Sequence, residues 1–287
     1  MNLDNKKKDQ TMNTNRAKIV TILSRKGGAG KTAITSILAR YFAEIERKDV
    51  LIIDFDGRGG LTSLFHHEPV TNTSSSIVEL ILQANQRLNI YDLFFQSVLQ
   101  IENSITSKWK KNRGRLFLLP SKPLLDDALI GINPRLLKTV LRHLRLTNEC
   151  IILIDSGPDS KNIEMGIIAA DVVFVPMIIG KQDVHPTVET IRSIINEQEI
   201  NHTPIFGGLI INRANQTQWE DSYVSSYQDL FTMLKKDSGL LTTNQDIFFE
   251  LKTSRIIQRG KHLSWAWRND YLKTAKEIAT VIHNLVV

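Results

Sequence analysis

An apolar run, Ile19 to Leu23, passes through Ser24 and Arg25 into the heptapeptide Lys26-Gly27-Gly28-Ala29-Gly30-Lys31-Thr32, after which Ala33 to Glu44 has helical character. Glycine at 27, 28 and 30 lets the backbone adopt turns and close approaches that a side chain would forbid. A short apolar strand followed at once by a tight turn and a helix needs neighbouring strands to cover it. This unit constrains the fold more than any other stretch of the chain.

Further runs of the same kind follow: with Ala17 to Leu23 they are Val50 to Ile53, Leu116 to Leu119, Ile151 to Ile154, Val172 to Val175 and Phe206 to Ile211. Short β-branched runs without polar alternation read as strands buried on both faces, and longer amphipathic segments between them read as helices. The expected fold is α/β: a doubly wound, mostly parallel sheet flanked by helices. A hydrophobic content of 42% is enough for one sizeable core. Residues 1–16 are polar and Lys/Asn-rich and read as a basic flexible tail, leaving 17–287 as a single domain. Between Thr71 and Gly114 the pattern loosens, from Ser/Thr-rich 71–76 to the basic run Lys108 to Arg115, which suggests a helical insertion around 71–114.

The lone Cys150 excludes an internal disulfide or a cysteine cluster within one chain and fits a reducing, cytoplasmic compartment. Directly before an apolar strand, it reads as a small buried hydrophobe. No apolar stretch reaches the roughly 18 residues of a membrane span, and Met1 to Arg16 lacks a hydrophobic signal core.

The glycine loop sits between a strand and a helix, the setting in which Gly-x4-Gly-Lys-Ser/Thr binds a triphosphate. Backbone N–H groups of Gly27, Gly28, Ala29, Gly30, Lys31, Thr32 and Ala33 turn toward the phosphates and the helix N-terminus adds its positive dipole end. Lys31 reaches the β- and γ-phosphates, and Thr32 binds Mg²⁺. Two later strands end in carboxylates, Val50-Leu51-Ile52-Ile53-Asp54-Phe55-Asp56 and Ile151-Ile152-Leu153-Ile154-Asp155. A buried strand ending in Asp places a carboxylate beside the Mg²⁺, so Asp54 and Asp155 join Thr32 as the expected metal site.

With Lys26 ahead of the glycines, the sequence resembles the ParA/MinD family of deviant Walker A P-loop ATPases, ParA-type partition ATPases above all. The resemblance implies that Lys26 reaches across an ATP-bound homodimer to the partner subunit's phosphates. It implies that Asp54 steadies the Mg²⁺ hydration shell and that Asp56 positions the attacking water, so Lys26, Lys31 and Asp56 are the expected catalytic residues. Leu209-Ile210-Ile211-Asn212-Arg213 is similar to the family's strand ending at the adenine, with Asn212 and Arg213 as base-side contacts. ATP and Mg²⁺ are then the cofactors. Nonspecific DNA is an implied partner, as is a small ParB-like activating or adaptor protein, with a nucleoid-associated location. A MinD-like ATPase that binds membrane is the alternative.

The chain departs from the family pattern at switch I, where Asp-Pro-Gln-Gly becomes Asp56-Gly57-Arg58-Gly59. It departs after Walker B, where Gly157-Pro158-Asp159 keeps one of two frequent prolines, and at Thr32-Ala33, where a second Thr or Ser is common.

The net charge of +6 matters through its clustering. From Leu251 to Arg268 there is no Asp or Glu, while Lys252, Arg255, Arg259 and Lys261 are expected to neutralise DNA phosphates in a sequence-tolerant, salt-sensitive way. On a helix over Pro134 to Leu146, Arg135, Lys138, Arg142 and Arg145 share a face opposite a leucine stripe, which fits either a solvated face or a DNA contact. Trp265 and Trp267 read as packing anchors. His66-His67-Glu68 read as surface residues, since adjacent histidines point apart. The final segment from Tyr271 has helical spacing with basic residues only at Lys273 and Lys276, a pattern that does not favour a membrane helix.

Overall fold

The computed structural model describes residues 16–66, 76–101, 114–123, 125–178, 181–212, 248–251 and 269–285. In chain order these form β1 (Lys18–Ile22), α1 (Lys31–Arg40), β2 (Asp49–Phe55), α2 (Gly60–Phe65), α3 (Ile77–Asn85), α4 (Tyr91–Ser97), β3 (Leu99–Gln100) and β4 (Leu116–Leu119). There follow α5 (Leu125–Ala128), α6 (Leu136–His143), β5 (Cys150–Ser156), α7 (Ser160–Ala169), β6 (Val172–Met177), α8 (Lys181–Asn201), β7 (Ile205–Asn212), β8 (Phe248–Leu251) and α9 (Asn269–Leu285). All six apolar runs are strands.

Among the described residues the sheet has eight strands in the order β3-β4-β2-β5-β1-β6-β7-β8, every pair parallel except the short β3 on β4. β1 lies in the middle. From β1 the chain runs out to β2 and β4, returns to β5 between β2 and β1, and then crosses to β6, β7 and β8 on the other side. Ligands of open α/β sheets sit outside the carboxyl ends of strands at such a reversal, and the glycine loop leaves β1 there.

Alternation along the strands sorts the core by face. Val50, Ile52, Ile151 and Leu153 join α1 and α9 in one cluster, while Leu51, Ile53, Ile152 and Ile154 join α3 and α6 in another. A third cluster packs α8 on β6 and β7. Each fully buried Ile or Leu contributes about 1.5–3 kcal/mol of burial, so this side-by-side stack holds the strand ends in register. Within 71–114 the described residues form α3, α4 and β3. Ser76 caps α3, and Glu79 closes the capping box and pairs with Lys122. Cys150 is buried and its thiol is pushed up to about 12 by that burial, in keeping with a packing role.

Candidate functional site

Gly30 is the N-cap of α1, with φ of 95° and no side-chain cap, so the first amides of α1 have no partner in the helix and face outward. The left-handed turn is one reason for glycine; the other is space, since a Cβ at Gly30 would lie 2.3 Å from Asn212 Nδ2. Asn212, at the end of β7, is buried and donates from Nδ2 to the Ala29 carbonyl at 3.2 Å. Sequence reasoning placed Asn212 at the adenine. Its Nδ2 also meets the phosphate loop, since β7 ends at the same edge of the sheet as that loop.

Lys31 is buried and donates from Nζ to the Lys26 carbonyl at 3.2 Å, which draws the lysine back over its own loop. Burial lowers its pKa, opposed by the Asp155 and Asp56 carboxylates. Thr32 Oγ1 donates to Asp155 Oδ2 at 2.6 Å. Asp54 and Asp155 are direct neighbours in the β2–β5 register.

The two carboxyls are out of water, and each disfavours ionisation of the other. Burial first and Asp54 second push Asp155 up to about 8; burial likewise pushes Asp54 up to about 6. Asp54 accepts from the Thr62 amide at 2.6 Å and from Thr62 Oγ1 at 2.7 Å, while Asp155 Oδ1 is buried with no hydrogen-bond partner. An orphaned buried carboxylate oxygen beside a second acid and a threonine hydroxyl fits a divalent cation. Among the described residues no group of three His, Cys, Asp or Glu side chains could hold a metal. Mg²⁺ binds through one or two carboxylates, keeps its waters and takes phosphate oxygens.

Asp56, half-buried at the start of switch I, accepts from the Arg58 amide at 3.0 Å and is turned by the Gly59 amide on its own carbonyl. Lys26 points elsewhere: its Nζ lies 2.7 Å from Oδ1 of Asp183, a buried acid in the first turn of α8. Thus Gly27 to Ala33, Asp54, Asp56, Asp155 and Asn212 converge at one edge of the sheet. Arg213, Lys252, Arg255, Arg259, Lys261, Trp265, Trp267, His67 and Glu68 lie outside the described residues.

Two polar partners escaped the sequence reading. Thr62 follows Asp54 by eight residues and could have been noticed as the first hydroxyl of α2. Asp183 carries no motif, and only the fold brings α8 beside the loop. On α6, Leu137, Val140, Leu141 and Leu144 are buried as the stripe requires. Part of its basic face is engaged within the chain, with Arg135 donating to Asn201 and Lys138 to Thr203.

A glycine loop between a central strand and an uncapped helix, with a threonine hydroxyl on the carboxylate of the adjacent strand, defines a P-loop nucleotide-binding protein. A family model described as AAA domain matches residues 17–203. The septum site-determining protein MinD of Buchnera aphidicola subsp. Acyrthosiphon pisum is 28% identical over 228 residues, covering 76% of this chain and 75% of that protein. The ATP complex of Cyanothece McdA superposes with a TM-score of 0.70 at 21% identity, covering 93% of this chain and 97% of that one. The pNOB8 ParA bound to nonspecific DNA gives a TM-score of 0.64 at 17% identity, covering 93% and 99%. The chain belongs to the AAA-domain family of P-loop ATPases that includes ParA and MinD.

Proposed function

We propose that this protein is a ParA-like ATPase that dimerises on ATP·Mg²⁺, binds nonspecific DNA in that state and is released when a partner protein stimulates hydrolysis. Such a cycle would move a plasmid, chromosome or protein cargo over the nucleoid within the cytoplasm. The observation that carries the reading is the pair of lysines on one loop. Lys31 already serves the loop's own phosphate cradle, and Lys26 becomes useful when a second subunit supplies another phosphate. Thr32 and Asp155 would hold Mg²⁺ with Asp54 steadying its water, and the bound ion would neutralise charge on the β- and γ-phosphates. Asp56 would orient the attacking water, and Lys31 would counter the charge that develops on the phosphates.

Resemblance to a ParA solved on nonspecific DNA supports DNA as the surface, reached through Lys252, Arg255, Arg259 and Lys261. The MinD relatives favour a second reading, binding to membrane. Against it, the buried residues Tyr271, Ala275, Ile278, Ala279 and Ile282 of α9 join the core, so that apolar face is not free for lipid. None of the described helices is long and apolar enough to cross a membrane.

Sedimentation velocity with ATP·Mg²⁺ and with ADP tests the dimer. Wild type is expected to double in mass with ATP only, and Lys26→Ala to stay monomeric while still binding nucleotide. A Lys26→Ala protein that dimerises and hydrolyses normally would defeat the reading.

A further inference from the structure

Gly57 follows the switch I aspartate, and Gly157 follows the strand that carries Asp155. A Cβ on Gly57 would lie 2.9 Å from Asp126 Oδ2, and one on Gly157 would lie 2.6 Å from Asn162 Nδ2 and 3.3 Å from the Asp56 carboxyl carbon. Neither glycine has a left-handed φ, so space is the reason for glycine at both. The two intruding side chains are bonded to each other: Asn162 Nδ2 donates to Asp126 Oδ1 at 2.8 Å. Asn162 lies on α7 and is almost wholly buried, and its Oδ1 has no hydrogen-bond partner. Asp126 lies on α5 and is half-buried.

We infer that Asp126 and Asn162 form a polar bridge that occupies the space vacated at 57 and 157 and positions Asp56 by fixing the loop at Gly57 and the loop at Gly157 against each other. Both are positioning residues, and the inference rests on the ATPase reading above. The bridge touches the loops on either side of Asp56: one Asp126 oxygen faces Gly57, the other takes the Asn162 amide, and that amide lies against Gly157. The Gly157 amide in turn donates to the Phe55 carbonyl at 2.8 Å, one residue before Asp56. Removing the bridge leaves both glycine loops without the side chains that limit them. A displacement near 1 Å of a group that orients a nucleophile costs up to about 100-fold in rate.

The test is steady-state ATP hydrolysis by the full-length protein, with kcat and KM separated. Asn162→Ala and Asp126→Ala are each expected to lower kcat about 10-fold with KM for ATP within about twofold, and Asp126→Asn, whose amide oxygen still accepts from Asn162, to recover most of the rate. A second arm reads thermal unfolding. Gly157→Ala should lower Tm by about 5 °C in the wild-type background and by much less in Asn162→Ala, where the clashing amide is gone. Unchanged kcat in the alanine variants, or equal Tm losses in both backgrounds, overturns the bridge. A wild-type protein that binds ATP but turns none over overturns the ATPase reading and the bridge with it, an outcome told apart by the wild-type control alone.

Discussion

Asp155 is the group whose removal should most change the nucleotide-free protein. Its folded-state pKa, about 8 against an ordinary 3.8, means that the native state binds a proton the unfolded chain has already lost. Stability from this group is therefore full below about pH 4 and falls as the pH rises to about 8. At about 1.4 kcal/mol for each tenfold change in proton affinity, the ceiling at pH 8 is about 5 kcal/mol. Asp155→Asn keeps an acceptor for Thr32 Oγ1 and removes the charge, but it sets an amide where Oδ1 has no partner, a cost of about 1–3 kcal/mol.

The difference leaves the variant about 2–4 kcal/mol more stable than wild type at pH 8, a gain in Tm of about 5–10 °C. At pH 5 the wild-type carboxyl is neutral, and the variant should be equal or slightly worse. Thermal unfolding followed by circular dichroism from pH 5 to 8.5 in EDTA reads both curves, which should cross. Adding ATP·Mg²⁺ should raise the wild type and leave the variant nearly unmoved. A wild-type Tm that does not fall with pH, or a variant less stable at both ends, would refute the assignment of Asp155 as an uncompensated buried acid awaiting a cation.

Other substitutions probe the surrounding contacts. Gly30→Ala forces a Cβ into a left-handed turn against Asn212 and should cost about 2–4 kcal/mol and abolish ATP binding, measured by denaturant unfolding and calorimetric titration. Thr62→Ala removes one of three donors to Asp54 and should lower ATP turnover about 10-fold, while Thr62→Ser preserves it; a steady-state assay over a Mg²⁺ series checks this. Asp183→Asn loosens the hold on Lys26 and should shift ATP-dependent dimerisation to lower protein concentration, read by sedimentation.

The strands were legible because runs such as Ile151 to Ile154 are short, rich in β-branched residues and apolar at every position, as a doubly covered sheet demands. Their order was not, since nothing local tells β1 to lie between β5 and β6. Thr32 and Asp155 could be linked in advance because both motifs have known chemistry, though 123 residues separate them. Asn212 shows the opposite case. An Asn at a strand end suits a base edge as well as a backbone carbonyl, and only the approach of β7 to Ala29 reveals its bond to the loop. Lys26 and Asp183, or Asp126 and Asn162, are pairs of ordinary polar residues on separate elements. Their spacing carries no period, so they emerge only once the sheet has set the distances.

The proposed cycle is a nucleotide-gated switch between free and surface-bound states. Its most direct test is binding of the full-length protein to nonspecific DNA and, in parallel, to anionic liposomes, each with ATP·Mg²⁺, with ADP·Mg²⁺ and without nucleotide. Salt-sensitive DNA binding is expected with ATP alone, and none to liposomes. DNA binding that ignores the nucleotide, or ATP-dependent binding to liposomes only, would contradict it.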